Sequence, residues 1–329
     1  MTASIPTIDL SAFIAANASE RGIIASEVDD ICRSIGFLII KNHGIDNTII
    51  DRAWSSALSF FELPAERKLE VHSNDPTCPR GYSPPQFETL AKSRGIETPP
   101  DRKETFSSGA LCTPERGRDH ADFDFFYGPN NWPTEPVEFR TAWIAYYHSM
   151  EQLGASIMQL FAMALKLPGD YFARFHTHHI SALRANYYPQ DKTAYLPNQK
   201  RAGAHSDYGS VTILRPDPDV GGLEVRLPSG KWLAAPMIED TFVINIGDML
   251  ARWTNDRWVS TLHRVVEPEN SACRRMSIAY FQVPNYDAKI SCIPTCIAKG
   301  KTAKYSSIDA GPYLMGRFRA TIQPNFAVD

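Results

Sequence analysis

From Ile180 onward the chain is cut into short apolar runs by turn-forming residues, and this rhythm limits the fold more than any other feature. Runs of strand length occupy 181–188, 210–214, 222–227, 231–234, 241–246, 260–266, 276–283 and 288–293. They match the length and β-branched content of strands rather than helices. Pro216-Asp217-Pro218-Asp219, Ser229-Gly230 and Asn255-Asp256 separate them, and these residue types favour turns. Short strands at this spacing predict a sandwich or jelly roll.

The N-terminal half reads differently. Ile5 to Leu10 suggests a short strand, and Gly36 to Ile40 a buried one. Between them, Ile23, Ile24, Val28, Ile31 and Cys32 fall on one stripe of a helix over 19–34. A second helix is expected from Ile49 to Phe61, stopped near Pro64. Residues 72–133 are rich in Pro, Gly, Ser and charge. A loop region this long usually carries function or closes over a site. Its pieces expected to face a ligand are Arg80-Gly81-Tyr82 and Lys103-Glu104-Thr105-Phe106, with Tyr82 and Phe106 as candidate substrate contacts. From 134 to 167 apolar residues recur at helical spacing. That helix should back the sheet, its aromatic and Met stripe serving as core. A closing helix is expected around Tyr313-Leu314-Met315. The expected architecture is mainly β with supporting α-helices, one domain over 1–329: support at 1–175, jelly-roll core at 176–300, closing segment at 301–329.

His205-Ser206-Asp207 lies in this β-rich region. Side chains two apart on a strand share a face, so the imidazole and carboxylate can converge on one ion. His263 follows 56 residues after Asp207. Two histidines and one carboxylate, with other positions open, form the ligand set of a non-haem Fe(II) oxygenase. H-x-D alone occurs often by chance. The other histidines (43, 72, 120, 148, 176, 178 and 179) are expected to be structural. Downstream, Arg275-Met276-Ser277 places a guanidinium and a hydroxyl on one strand face, a match for a carboxylate. Tyr188 adds a phenol upstream. A small dianionic acid could chelate the metal at one end and meet Arg275 and Ser277 at the other.

Taken together, N-Y-Y-P, H-x-D, a distal His and R-x-S resemble the iron- and 2-oxoglutarate-dependent dioxygenases of the isopenicillin N synthase type. I-P-T-I-D, G-F-x-x-x-x-N-H-G-I and F-F-x-L-P in the N-terminal half match as well, so the likeness runs from Ile5 to about Leu314. The resemblance implies a distorted double-stranded β-helix with His205, Asp207 and His263 as Fe(II) ligands. It implies that Arg275 and Ser277 bind the distal carboxylate of 2-oxoglutarate, with Tyr188 and, more weakly, Asn186 at the metal end. It implies O2 as oxidant, succinate and CO2 as coproducts, and ascorbate as a possible activator. Arg274 is the alternative to Arg275, less favoured by the R-x-S spacing. Family members that dispense with 2-oxoglutarate, and non-catalytic binders on the same fold, are the alternatives in function. The intact His205, Asp207 and His263 speak against the binder.

R-A-G-x-H-x-D-Y-G-S at 201–210 and L-A-R-W-x-N-D at 250–256 resemble the thymine hydroxylase subgroup and related oxygenases of secondary metabolism. That likeness implies Tyr208 and Phe281 as stacking residues and Arg184 as a polar contact for a small-molecule substrate, without fixing which one.

Composition excludes other classes. The formal charge is -3, giving no electrostatic footprint for nucleic acid or an anionic membrane. The six cysteines at 32, 78, 112, 273, 292 and 296 form no C-x-x-C and read as reduced thiols of a cytoplasmic protein. MTASIPTIDLSAF has no secretory pattern. Nothing in the sequence specifies an oligomeric state.

Overall fold

The computed structural model describes residues 4–73, 80–115, 120, 122–190, 196–267 and 273–319. Cys78, Pro268 and the last ten positions of the expected closing segment, 320–329, lie outside the described residues.

Twelve strands build the core: β1 Thr7–Asp9, β2 Phe37–Lys41, β3 Gly81–Ser83, β4 Glu104–Ser108, β5 Ala182–Tyr188, β6 Ala202–His205, β7 Val211–Arg215, β8 Leu223–Arg226, β9 Trp232–Ala234, β10 Thr241–Ile246, β11 His263–Val265 and β12 Arg275–Gln282. They form an eight-stranded sheet in the order β1-β2-β10-β7-β12-β5-β4-β3 and a four-stranded sheet in the order β6-β11-β8-β9. This is the distorted double-stranded β-helix. Most pairings are antiparallel, β1 with β2 being parallel.

The helix Phe139–Ala164 backs the large sheet, as its apolar stripe predicts. Trp143, Tyr147, Met150, Ile157 and Phe161 are fully buried. Tyr147 meets Tyr280 of β12 edge-on, with ring centroids 5.4 Å apart. The helix rides close enough that a Cβ at Gly154 would stand 2.6 Å from Gln282 Oε1, which accounts for a glycine in mid-helix. The helix Ala18–Ser34 starts from a capping box in which Asn17 and Glu20 satisfy each other's backbone N–H groups. The helix Asn47–Phe61 packs on the spine through Phe60, whose ring lies 5.4 Å from Phe139.

Strand β12 shows how the layers divide. Met276, Ile278 and Tyr280 enter the helical core. Arg275, Ser277, Ala279 and Phe281 face a cavity between the two sheets.

Two expectations need correction. Residues 72–133 are not all loop, because β3 and β4 extend the large sheet there. All five residues of β4 are buried, so the alternation that marks a half-exposed strand is missing. Phe106 consequently lies in the core, against Phe139 at 4.7 Å and Trp143 at 5.5 Å. Tyr82 points to the same side and donates to Glu104 at 2.8 Å. Neither lines the cavity, so their expected role in substrate contact does not hold. The other correction concerns the H-x-D stretch. Strand β6 ends at His205 and Asp207 lies in the turn beyond it, so strand alternation is not what brings the two together.

Candidate active site

The small sheet supplies the histidines. His205 and His263 are register partners on β6 and β11. Each ring is oriented by its own backbone: His205 Nδ1 lies 2.7 Å from Gly203 O and His263 Nδ1 lies 3.2 Å from Thr261 O. A carbonyl only accepts, so each Nδ1 carries the proton and each Nε2 keeps its lone pair. Those Nε2 atoms stand 3.8 and 3.7 Å from Asp207 Oδ1. Burial and the neighbouring His263 bring the His205 pKa down to about 3, which keeps it neutral. Burial alone would raise the Asp207 pKa, but His263, His205, Thr212 and Asn245 hold it below the usual carboxylate value.

The turn carrying Asp207 is held by the helix Asp248–Trp253. Asp248 N donates to Asp207 O at 2.7 Å, and Met249 N donates to Gly209 O at 3.2 Å. A Cβ at Gly247 would stand 2.1 Å from Gly209 O, so only glycine permits this approach.

His205, Asp207 and His263 are the single group of three or more His, Cys, Asp or Glu side chains among the described residues able to hold a metal. Two neutral imidazoles and a carboxylate fit Fe(II). The His176, His178 and His179 cluster serves structure instead. His179 Nε2 bonds Glu151 at 2.8 Å, and His176 Nδ1 bonds Phe172 O at 3.0 Å.

Arg275 lies on β12 opposite Tyr188 of β5, and Ser277 lies opposite Asn186. Arg275 is 1% exposed. Its Nε donates to Gly221 O at 3.0 Å and its Nη1 to Ser277 Oγ at 3.3 Å. Its guanidinium stands 5.2 Å from the Tyr188 ring centroid. Among the described residues no carboxylate forms an ion pair with it, whereas the buried Arg201 is bound by Glu267 and Arg184 by Glu88. A buried cation of this kind requires an anionic partner. The alternative, Arg274, is exposed and paired with Glu62.

The other end of the cavity is lined by Tyr208, Phe281, Arg184, Phe125, Phe126, Leu314 and Phe318, with Glu88 and Lys103 in the wall. Arg184 is committed to the protein on two sides. Its Nη1 meets both Glu88 oxygens at 2.9 and 3.1 Å, and its Nε donates to Ser107 at 2.9 Å. Lys103 approaches Glu88 at 3.1 Å. Burial opposes the Glu88 charge, but Arg184 and Lys103 hold its pKa down to about 2. Tyr208 is flanked by the closing helix Ala310–Arg319, with Arg317 4.7 Å from its ring centroid and Phe318 edge-on at 6.1 Å.

Lys103, from a piece expected to face a ligand, does line the cavity, whereas sequence reasoning missed Glu88, Phe125, Phe126, Phe318, Thr212 and Asn245. Asn245 did carry a signal, being polar inside the apolar run Thr241–Ile246, all of it buried. A buried amide there needs a partner.

Comparisons with known proteins agree with this geometry. Residues 5–135 match the model of the non-haem dioxygenase in morphine synthesis N-terminal family, and residues 179–284 match that of the 2OG-Fe(II) oxygenase superfamily. The chain belongs to the 2OG-Fe(II) oxygenase superfamily and is a 2-oxoglutarate-dependent dioxygenase using Fe(II). It is similar to full-length Neurospora crassa T7H in complex with alpha-KG, at 35% identity and a TM-score of 0.82, covering 96% of each chain. It is 31% identical to the 2-oxoglutarate-Fe(II) type oxidoreductase hxnY of Emericella nidulans, covering 95% of this chain and 89% of that one. It is 33% identical to the Homoarginine-6-hydroxylase 2-ODD-233 of Oryza sativa subsp. japonica, covering 95% of both.

Proposed function

We propose that His205, Asp207 and His263 hold the iron, that Arg275 and Ser277 hold the distal carboxylate of 2-oxoglutarate, and that the aromatic end of the same cavity holds a small molecule for hydroxylation. The observation that carries this reading is the buried Arg275, with no carboxylate in ion-pair distance among the described residues, facing one cavity with the triad. When bound, iron and 2-oxoglutarate supply the O2 activation, coupled to release of CO2 and succinate.

The chain's own residues do the rest. Gly203 O and Thr261 O fix the tautomer of both imidazoles. Gly221 O and Ser277 aim the Arg275 fork, and Tyr188 packs against its face. Asn186 and Tyr188 line the same cavity, opposite Ser277 and Arg275 in register. Tyr208 and Phe281 offer apolar faces to a flat group, where aromatic stacking adds about 0.5–1.5 kcal/mol beyond the area buried. Arg184 offers the polar edge. Phe125, Phe126, Leu314 and Phe318 give that end an apolar lining. The support for a ring-bearing substrate is this lining, together with the similarity to Neurospora T7H, solved with alpha-KG and thymine at 34% identity.

We place the chain in the cytoplasm as one catalytic unit. Cys32, Cys112, Cys273, Cys292 and Cys296 are free thiols, and no helix among the described residues is long and apolar enough to cross a membrane.

The test is untargeted. Anaerobic protein loaded with Fe(II) and 2-oxoglutarate is mixed with a metabolite extract, O2 is admitted, and products are weighed by mass spectrometry. The expected result is a metabolite gaining one oxygen in step with succinate. Substrate turnover without succinate would favour an oxidase that dispenses with 2-oxoglutarate.

A further inference from the structure

Asp207 is held by its other oxygen. Thr212 Oγ1 donates to Asp207 Oδ2 at 2.5 Å, and Asn245 Nδ2 donates to the same atom at 2.7 Å. Thr212 is 4% exposed and Asn245 3%. The two are register partners on β7 and β10 of the large sheet. The large sheet therefore reaches across the cavity to grip a ligand group whose histidine partners belong to the small sheet.

The chemistry of this grip is selective. A carboxylate oxygen has about two lone pairs to offer, and two donors occupy those of Oδ2. Oδ1 is left facing both Nε2 atoms, with no hydrogen-bond donor to it among the described residues. An ungripped carboxylate can rotate and present both oxygens to a cation. A gripped one presents a single oxygen and leaves one more coordination position for other ligands. Groups that orient a ligand in this way typically change metal affinity by about 10–100-fold when removed.

We infer that Thr212 and Asn245 are positioning residues that force Asp207 to bind metal through Oδ1 alone and so keep open the positions that 2-oxoglutarate and O2 require. This rests on the metal-site reading above. Both residues act through Asp207.

The experiment uses the full chain freed of metal, titrated with Mn(II), which is stable in air, and separately with Co(II), whose visible spectrum reports coordination number. Three variants are compared with the parent: Thr212→Val, which keeps the shape and removes the hydroxyl; Thr212→Ser, which keeps the hydroxyl; and Asn245→Ala. Thr212→Val and Asn245→Ala are expected to weaken Mn(II) binding about tenfold or more and to alter the Co(II) spectrum. Thr212→Ser should bind within about twofold of the parent, a rescue that a purely structural role would not produce. Should Asn245→Ala fail to fold, the Thr212 pair decides the matter alone. Mn(II) affinity and Co(II) spectrum unchanged in Thr212→Val would overturn the grip while leaving the metal site standing. A parent protein that binds neither ion overturns the metal site itself, and the grip with it.

Discussion

The two ends of the cavity are built in opposite ways. At the cosubstrate end, His205, Asp207, His263, Arg275 and Ser277 come from one stretch of the chain and are aimed largely by backbone groups: Gly203 O, Thr261 O, Gly221 O and the first N–H groups of the helix Asp248–Trp253, with the side-chain grip of Thr212 and Asn245 on Asp207 as the exception. At the substrate end, Glu88, Phe125, Arg184 and Phe318 come from four separate segments and are aimed mainly by one another's side chains. Backbone aiming survives changes of sequence, because every residue has a carbonyl. Side-chain aiming does not. One end is thus suited to a constant chemistry and the other to a choice of substrate.

The sharpest way to break this comparison is at the metal. His263→Ala is expected to abolish succinate formation, since one of the three ligands is lost; turnover within tenfold of the parent would remove His263 from the site.

Next in size is Arg275→Ala. It leaves the cosubstrate carboxylate buried and unpaired, at a cost of about 3–5 kcal/mol or roughly a hundredfold or more in binding. The 2-oxoglutarate concentration for half-maximal succinate formation should rise accordingly. Arg274→Ala, which removes an exposed guanidinium, should leave it unchanged.

Glu88→Gln probes the other end. It strands Arg184 and Lys103, and breaking a buried pair costs about 3–5 kcal/mol of stability. A fall in Tm should appear while the 2-oxoglutarate affinity of the folded protein stays within about twofold. A parallel loss of cosubstrate affinity would show that the two ends are not separable.

A further test varies the pH of the metal-free protein. His205 has a folded pKa of about 3 against an ordinary 6.5. The unfolded chain therefore takes up its proton first, and stability falls as pH drops from 6.5 towards 3. Glu88 has a folded pKa of about 2 against 4.5. Its contribution is intact above 4.5 and is lost as pH falls through 2. In scans of Tm against pH, His205→Gln should flatten the slope starting near pH 6.5, and Glu88→Gln only below about 4.5.

The same contrast explains what could be read from the sequence. Arg275 and Ser277 share one strand, so a spacing of two exposes them to inspection. His205 and Asp207 were found by that rule although the strand stops at His205 and a turn brings Asp207 round. Thr212 and Asn245 meet Asp207 only once β7 and β10 are laid side by side. Phe106 and Tyr82 give no sign of their face because β4 and β3 are buried on both sides and show no burial alternation. Glu88 looks like any other acid until the fold surrounds it with Lys103 and Arg184. Pairings between distant segments leave no local pattern.

The division of the triad between layers has a thermodynamic consequence. The histidines belong to the small sheet, and Asp207 is gripped by the large one. Any divalent ion held by all three works as a rivet through both layers, present when they are closed and absent when they part. Linkage then makes Tm a function of ion concentration, with about 2.7 kcal/mol gained at a hundred times the dissociation constant. The ion that serves the chemistry is, on this account, also a structural member of the fold.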